Sequence, residues 1–158
     1  MRAGILGGTR FIGWHLAQAL LAAGHEVTLF HRGRTREPRP FSGPVRRVLG
    51  DRDRPESLAP FFEKDYDVVF DLSAYKLSQV EPLATRWRER VGHLVFCSTA
   101  SVYRVPPAVG FREDAPRTFQ PGAYGGRRRC PRTSCSRAVG RSPRSGRRAC
   151  SVRFTTSR

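Results

Sequence analysis

Apolar residues in this chain fall into short runs separated by glycine, proline and charge. Met1 to Leu6 is such a run and ends in Gly7-Gly8. After it, Ile12, Leu16, Ala19, Leu20 and Ala23 recur at helical spacing, closed by Gly24. The order predicted is strand, glycine turn, helix. Val27 to Phe30 predicts a second strand, and Val45 to Leu49 a third, after a loop rich in Pro, Gly and Arg. Asp53 is expected to cap a short helix from about Pro55, with Pro60 cutting or distorting it. Asp67 to Leu72 (DVVFDL) is too continuously apolar for a sheet with one wet face, which predicts a fully covered fourth strand. Val80, Leu83, Ala84, Trp87 and Val91 then form one helical stripe, and His93 to Cys97 predicts a fifth strand. Five strands alternating with helices imply an α/β fold built on a parallel, doubly wound sheet.

Length and charge divide the chain unequally. Its 158 residues suffice for one ordinary domain, and the formal charge of +16 at first suggests a nucleic-acid partner. The charge is uneven, however. Residues 125–158 contain eleven Arg, no Lys and no acid, so they carry +11 while residues 1–124 carry +5. That segment also lacks Leu, Ile and Met and has one aromatic, Phe154, so it is expected to be a disordered or non-native tail and not a second folded domain. A shifted reading frame in a GC-rich gene would give such a mixture of Arg, Ser, Pro, Cys and Gly. A genuine tail of this kind would instead neutralise the phosphates of RNA.

Cysteine usage adds little chemistry. Cys97 lies in an apolar run, and Cys130, Cys135 and Cys150 match no zinc spacing and have no His near them, so no metal site is expected. The absence of paired Cys in residues 1–124 fits a reducing compartment. Phe11 to Ala23 is broken by His15 and Gln18, and Arg10 precedes it, so neither an export signal nor a membrane span is expected. These features point to the cytoplasm.

In a doubly wound sheet ligands bind beyond the carboxyl ends of the strands. The first such turn reads Leu6-Gly7-Gly8-Thr9-Arg10-Phe11-Ile12-Gly13, between a strand and a helix, which is the context a dinucleotide-binding turn requires. Gly7 and Gly8 would let backbone approach a pyrophosphate, the amides from Thr9 through Ile12 would face it at the helix start, and Gly13 would let helix pack on strand. The plainer alternative is a glycine-rich turn with no ligand. About 20 residues beyond such a turn an acid normally accepts the ribose hydroxyls of NAD. Here the sequence is Phe30-His31-Arg32-Gly33-Arg34, without an acid, so Arg32 favours the 2′-phosphate of NADP, with NAD as the second choice, and Arg10 would add to the same site. Alternatively Arg32 and Arg34 only solvate a basic loop. Asp51, after the third strand, is a candidate acceptor for the adenine amino group or an ordinary turn residue. Leu72, Ser73 and Ala74 supply small residues where the cofactor backbone would pass. The fifth turn, from Cys97 and Ser98 to Tyr103, is rich in hydroxyls suited to cofactor or substrate oxygens, and Tyr124 is a candidate acid or base if a neighbouring cation lowers its pKa.

With these motifs in this order, residues 1–124 resemble a Rossmann-like, extended short-chain dehydrogenase/reductase of the NAD-dependent epimerase/dehydratase family. GGTRFIG at Gly7 to Gly13 is similar to an atypical branch that includes the chloroplast stem-loop-binding proteins, which shares Arg10 where the family signature has glycine. The resemblance implies NAD(P)-linked epimerase, dehydratase or reductase chemistry on a sugar-like or other small hydroxyl substrate. It places the catalytic Ser/Thr at Thr99, within Ser98 to Tyr103, and aligns Tyr124 with the tyrosine of the family's YxxxK pair. Arg128 stands where the lysine of that pair is expected, so turnover is not expected of this chain. The branch and the basic tail together imply an alternative, a non-catalytic module that binds RNA.

Overall fold

The computed structural model describes residues 1–98. Five parallel strands form one sheet in the order β3-β2-β1-β4-β5, where β1 is Arg2–Leu6, β2 Glu26–His31, β3 Val45–Leu49, β4 Tyr66–Asp71 and β5 Val91–Phe96. Two helices, α1 (Phe11–Ala22) and α2 (Leu77–Ala84), follow β1 and β4. The winding reverses between β1 and β4, since β2 and β3 add on one side of β1 while β4 and β5 add on the other. The expected doubly wound α/β sheet is therefore present.

Both faces of the sheet are apolar, which is what parallel strands with covered faces require. On one face Leu6, Phe30, Val48 and Val69 pack with Leu58, Phe61, Phe62, Leu83 and Trp87. The Phe62 and Trp87 rings stack there with centroids 4.9 Å apart. On the other, Ala3, Ile5, Val27, Leu29 and Val68 pack under Ala17 and Leu20 of α1, with Phe70, Leu72 and Val95 only partly covered. Burying one such large side chain contributes on the order of 2 kcal/mol, so these two clusters carry most of the favourable free energy of the fold.

Several boundaries and phases differ from the sequence expectation. The buried face of α1 runs through Gly13, Ala17 and Leu20, with Leu16 and Leu21 partly covered, while Ile12, Ala19 and Ala23 are exposed. The segment FIGWHLAQALLA is apolar nearly all round, so its periodicity does not fix which side meets the sheet. Asp53 caps no helix. The segment after β3 forms two short 3-10 turns, Pro55–Leu58 and Phe61–Glu63, parted at Pro60 as the fixed ring geometry requires, and Arg54 precedes the first. The second helix ends at Ala84, so Trp87 lies beyond it and Val91 opens β5.

The long loop between β2 and β3 is fastened to α1. Trp14 Nε1 donates to the Arg39 carbonyl at 3.1 Å, and Gln18 Oε1 accepts from Ser42 N and Oγ at 2.9 Å each. This matters for the site, because the loop begins with Arg32 and Arg34. Among the described residues no helix is long and apolar enough to cross a membrane.

Candidate functional site

The turns after β1, β2, β3 and β4 meet in a cleft of about 410 Å³ at the carboxyl edge of the sheet. Gly7, Thr9, Arg32, Arg34, Asp51, Leu72 and Ser73, all singled out in the sequence, line it. A wider hollow of about 540 Å³ opens at the opposite edge, against Arg2, Gly24, Gly43 and Lys64. The carboxyl-edge cleft combines a helix start with turns from four strands, which is where ligands enter folds of this kind.

The floor is the first turn. Gly7 has φ +95°, a conformation that glycine adopts without strain, and its N–H donates to the Phe30 carbonyl at 3.0 Å. A Cβ on Gly7 would come within 2.9 Å of Ser73 Cβ, so the first and fourth turns touch. Gly13 lies inside α1, where a Cβ would meet the Gly7 carbonyl and approach Gly8 Cα to 2.9 Å. The turn therefore closes only with glycine at both places. The Arg10 carbonyl accepts from Gly13 N at 3.0 Å and Trp14 N at 3.3 Å, so the preceding amides at the helix start have no acceptor within the helix and carry its positive end.

Not every candidate lies in the cleft wall. Arg10 is exposed, its guanidinium rests 5.4 Å from the centroid of the Phe11 ring, and it does not line the cleft as Arg32 and Arg34 do. Phe11 (φ +41°) and Ile12 project into solvent, so only their backbone belongs to the turn. Gly8 and Ala74 are buried beneath the surface. Ser98 is buried two residues beyond β5 and outside the cleft lining. Asp51 Oδ1 accepts from Asp53 N at 3.0 Å, which makes it a turn residue as well as a cleft residue. Thr99 and Tyr124 lie outside the described residues.

The sequence reading missed the polar cluster under one lip of the cleft. Asp71, fully buried at the end of β4, accepts two hydrogen bonds from Arg52, Nη1 to Oδ1 at 3.0 Å and Nη2 to Oδ2 at 2.9 Å. Its Oδ1 also accepts from the amides of Ser73 at 3.2 Å and Ala74 at 3.1 Å. Arg52 Nη2 donates in addition to the Gln79 carbonyl. The Gln79 side chain continues the cluster, as Oε1 accepts from Tyr75 N at 2.7 Å and Nε2 donates to Asp53 Oδ1 at 2.9 Å. Hydrogen bonds from Lys76 (3.1 Å) and then Gln79 hold the exposed Asp53 carboxyl below the usual range. A charged residue inside the apolar run DVVFDL was the available signal, since a buried carboxylate requires a partner.

His31, at the end of β2, is the last polar group in the wall. Its Nδ1 accepts from Gly33 N at 3.1 Å, which shapes the turn carrying Arg32 and Arg34. Burial pushes its pKa down; Glu37 opposes that shift and Arg47 adds to it.

Residues 3–125 match the NAD dependent epimerase/dehydratase family. The chloroplast stem-loop binding protein of 41 kDa b from Arabidopsis thaliana is 32% identical over 111 residues, covering 63% of this chain and 29% of that protein. Among solved structures, UDP-glucose 4-epimerase from Bifidobacterium longum in complex with NAD+ and UDP is similar at TM-score 0.69 and 22% identity, over 81% of this chain and 46% of that one. WbmG of Bordetella bronchiseptica in complex with NAD and UDP is similar at TM-score 0.62 and 20% identity, over 80% and 46%. The chain thus spans less than half the length of each of these relatives. The family match covers the sheet, the glycine turn and the cleft described above, and the chain belongs to the NAD-dependent epimerase/dehydratase family.

Proposed function

We propose that the carboxyl-edge cleft binds a nicotinamide dinucleotide and prefers NADP over NAD. The observation that carries this reading is the glycine turn, in which Gly7 and Gly13 let strand, turn and helix start pack more closely than a Cβ would allow, so that backbone amides at the start of α1 stand at the edge of the cleft. The residues present fit the group: backbone amides are suited to the pyrophosphate, and Asp51, Arg32 and Arg34, which line the same cleft, are suited to the adenine amino group and to the 2′-phosphate of the ribose. Calorimetric titration of the chain with NADP+ and NAD+ tests the reading. Tighter binding of NADP+ supports it, equal affinity removes the preference, and no binding of either removes the site.

A bound nicotinamide supplies or accepts hydride. By family resemblance Thr99 would orient the substrate oxygen and Tyr124 would exchange its proton, on a sugar-like or other small hydroxyl substrate. We also propose that this chain does not turn over, because Arg128 replaces the expected lysine and residues 125–158 hold too few apolar side chains to wall a substrate pocket.

A second reading, RNA binding, is favoured by the similarity to a stem-loop binding protein and by the eleven arginines of residues 125–158. Arginines of this density would contact phosphates with little need of a fold.

A further inference from the structure

Arg52 and Asp71 come from segments that are not neighbours in the sheet. Arg52 follows the edge strand β3, Asp71 closes β4, and β2 and β1 lie between those strands. The pair therefore bridges the reversal of winding at which the cleft opens. Asp71 is 0% exposed and Arg52 7%. Two charges in such a place are costly to desolvate, and apolar side chains of similar volume often support a fold as well or better. Arg52 Nε is also buried without a hydrogen-bond partner, so stability alone does not explain the choice of residues. What the ionic version adds is geometry, because a guanidinium fork on a carboxylate fixes both distance and direction.

That geometry reaches the cleft by two routes. Asp71 Oδ1 holds the amides of Ser73 and Ala74, and Ser73 is the residue that a Cβ on Gly7 would strike, so the spacing of the first and fourth turns is set through Asp71. On the other side Arg52 sits between Asp51 and Asp53, and Asp53 is drawn to α2 by Gln79 Nε2 and Lys76 Nζ.

We propose that Arg52 is a positioning residue for the dinucleotide. Through Asp71 it locks the β3 turn, which meets the adenosine half, to the β4 turn, beside which the pyrophosphate and nicotinamide ribose pass. The two halves of one ligand are then received at one fixed spacing. This proposal rests on the cleft being the dinucleotide site.

The test compares a whole dinucleotide with its half. In the full chain, Arg52→Met and Asp71→Leu are introduced together, folding is followed by thermal unfolding, and affinities are measured for NADPH and for adenosine 2′,5′-bisphosphate. A folded double variant should bind NADPH about tenfold or more weakly, the scale of a small misplacement, with the bisphosphate affected by less than about threefold. A folded double variant that binds NADPH as the unaltered chain does overturns the proposal, and so does an equal loss for both ligands, which indicates general damage. If the double variant does not fold, Arg52→Lys decides, because it keeps the charge and loses the fork. The same selective loss of NADPH supports the proposal, and unchanged NADPH affinity overturns it. Failure of the cofactor reading looks different: the unaltered chain then binds neither NADPH nor NADH, and both proposals fall together.

Discussion

Gly13 rests against Gly8 across the first turn, so closely that a Cβ on Gly13 would stand 2.9 Å from Gly8 Cα and strike the Gly7 carbonyl. Two backbone segments meet there with no side chain between them. Gly13→Ala must push α1 away from the turn, at a cost of about 1 to 3 kcal/mol, the usual scale for forcing an extra methyl into a packed region. Denaturant unfolding should show that loss, and dinucleotide affinity should fall with it. A variant as stable as the parent would contradict the contact.

The proposed preference for NADP rests on Arg32. If Arg32 meets the 2′-phosphate, Arg32→Asp should weaken NADP+ about tenfold or more, within the range of a lost charge-assisted hydrogen bond, and narrow or invert the preference over NAD+. Titration of both nucleotides against the variant measures this. An unchanged ratio of affinities would mean that Arg32 only solvates its loop.

The expected chain order of strands and the glycine turn were legible because continuous apolar runs and a GGxxxxG break carry their own period and punctuation. Gly7, Arg32, Asp51 and Ser73 could be placed in one cleft for the same reason, since each closely follows a strand whose carboxyl end was predictable. The Arg52–Asp71 pair was not legible. Its members are 19 residues apart in sequence, and nothing local says which cation meets a buried carboxylate. The phase of α1 was hidden by its near-uniform apolarity, and the capping expectation for Asp53 failed because that carboxylate is engaged by Lys76 and Gln79.

His31 gives the protein a pH dependence of definite sign. Burial lowers its folded pKa below the ordinary 6.5, and its Nδ1 must stay unprotonated to accept from Gly33 N. The unfolded chain therefore binds a proton more readily than the folded one. The stability His31 confers is complete above pH 6.5 and is lost as pH falls from there through the lowered folded value. Urea unfolding between about pH 7.5 and 5.5 should show declining stability with a shallower decline in His31→Asn, whose amide oxygen can still accept but does not titrate in that window. Identical slopes would remove His31 as the cause.

RNA affinity, if it resides in residues 125–158, should be strongly salt dependent. With about six to ten phosphate contacts, binding of a stem-loop RNA should weaken about a thousand-fold or more between 50 and 200 mM salt. Deleting residues 125–158 should abolish it. Binding that survives the deletion unchanged would assign the RNA site to the sheet domain.

By the proposed function the carboxyl-edge cleft, and not the wider hollow at the amino ends of the strands, receives the dinucleotide. Amide hydrogen exchange with and without saturating NADP+ reads both places in one experiment. Residues 7–13, 31–35 and 51–53 should gain protection, while residues 24–28 and 43–46 around the opposite hollow should not change. Protection confined to the amino-end hollow, or binding that leaves residues 7–13 as exchangeable as before, would place the dinucleotide outside the carboxyl-edge cleft.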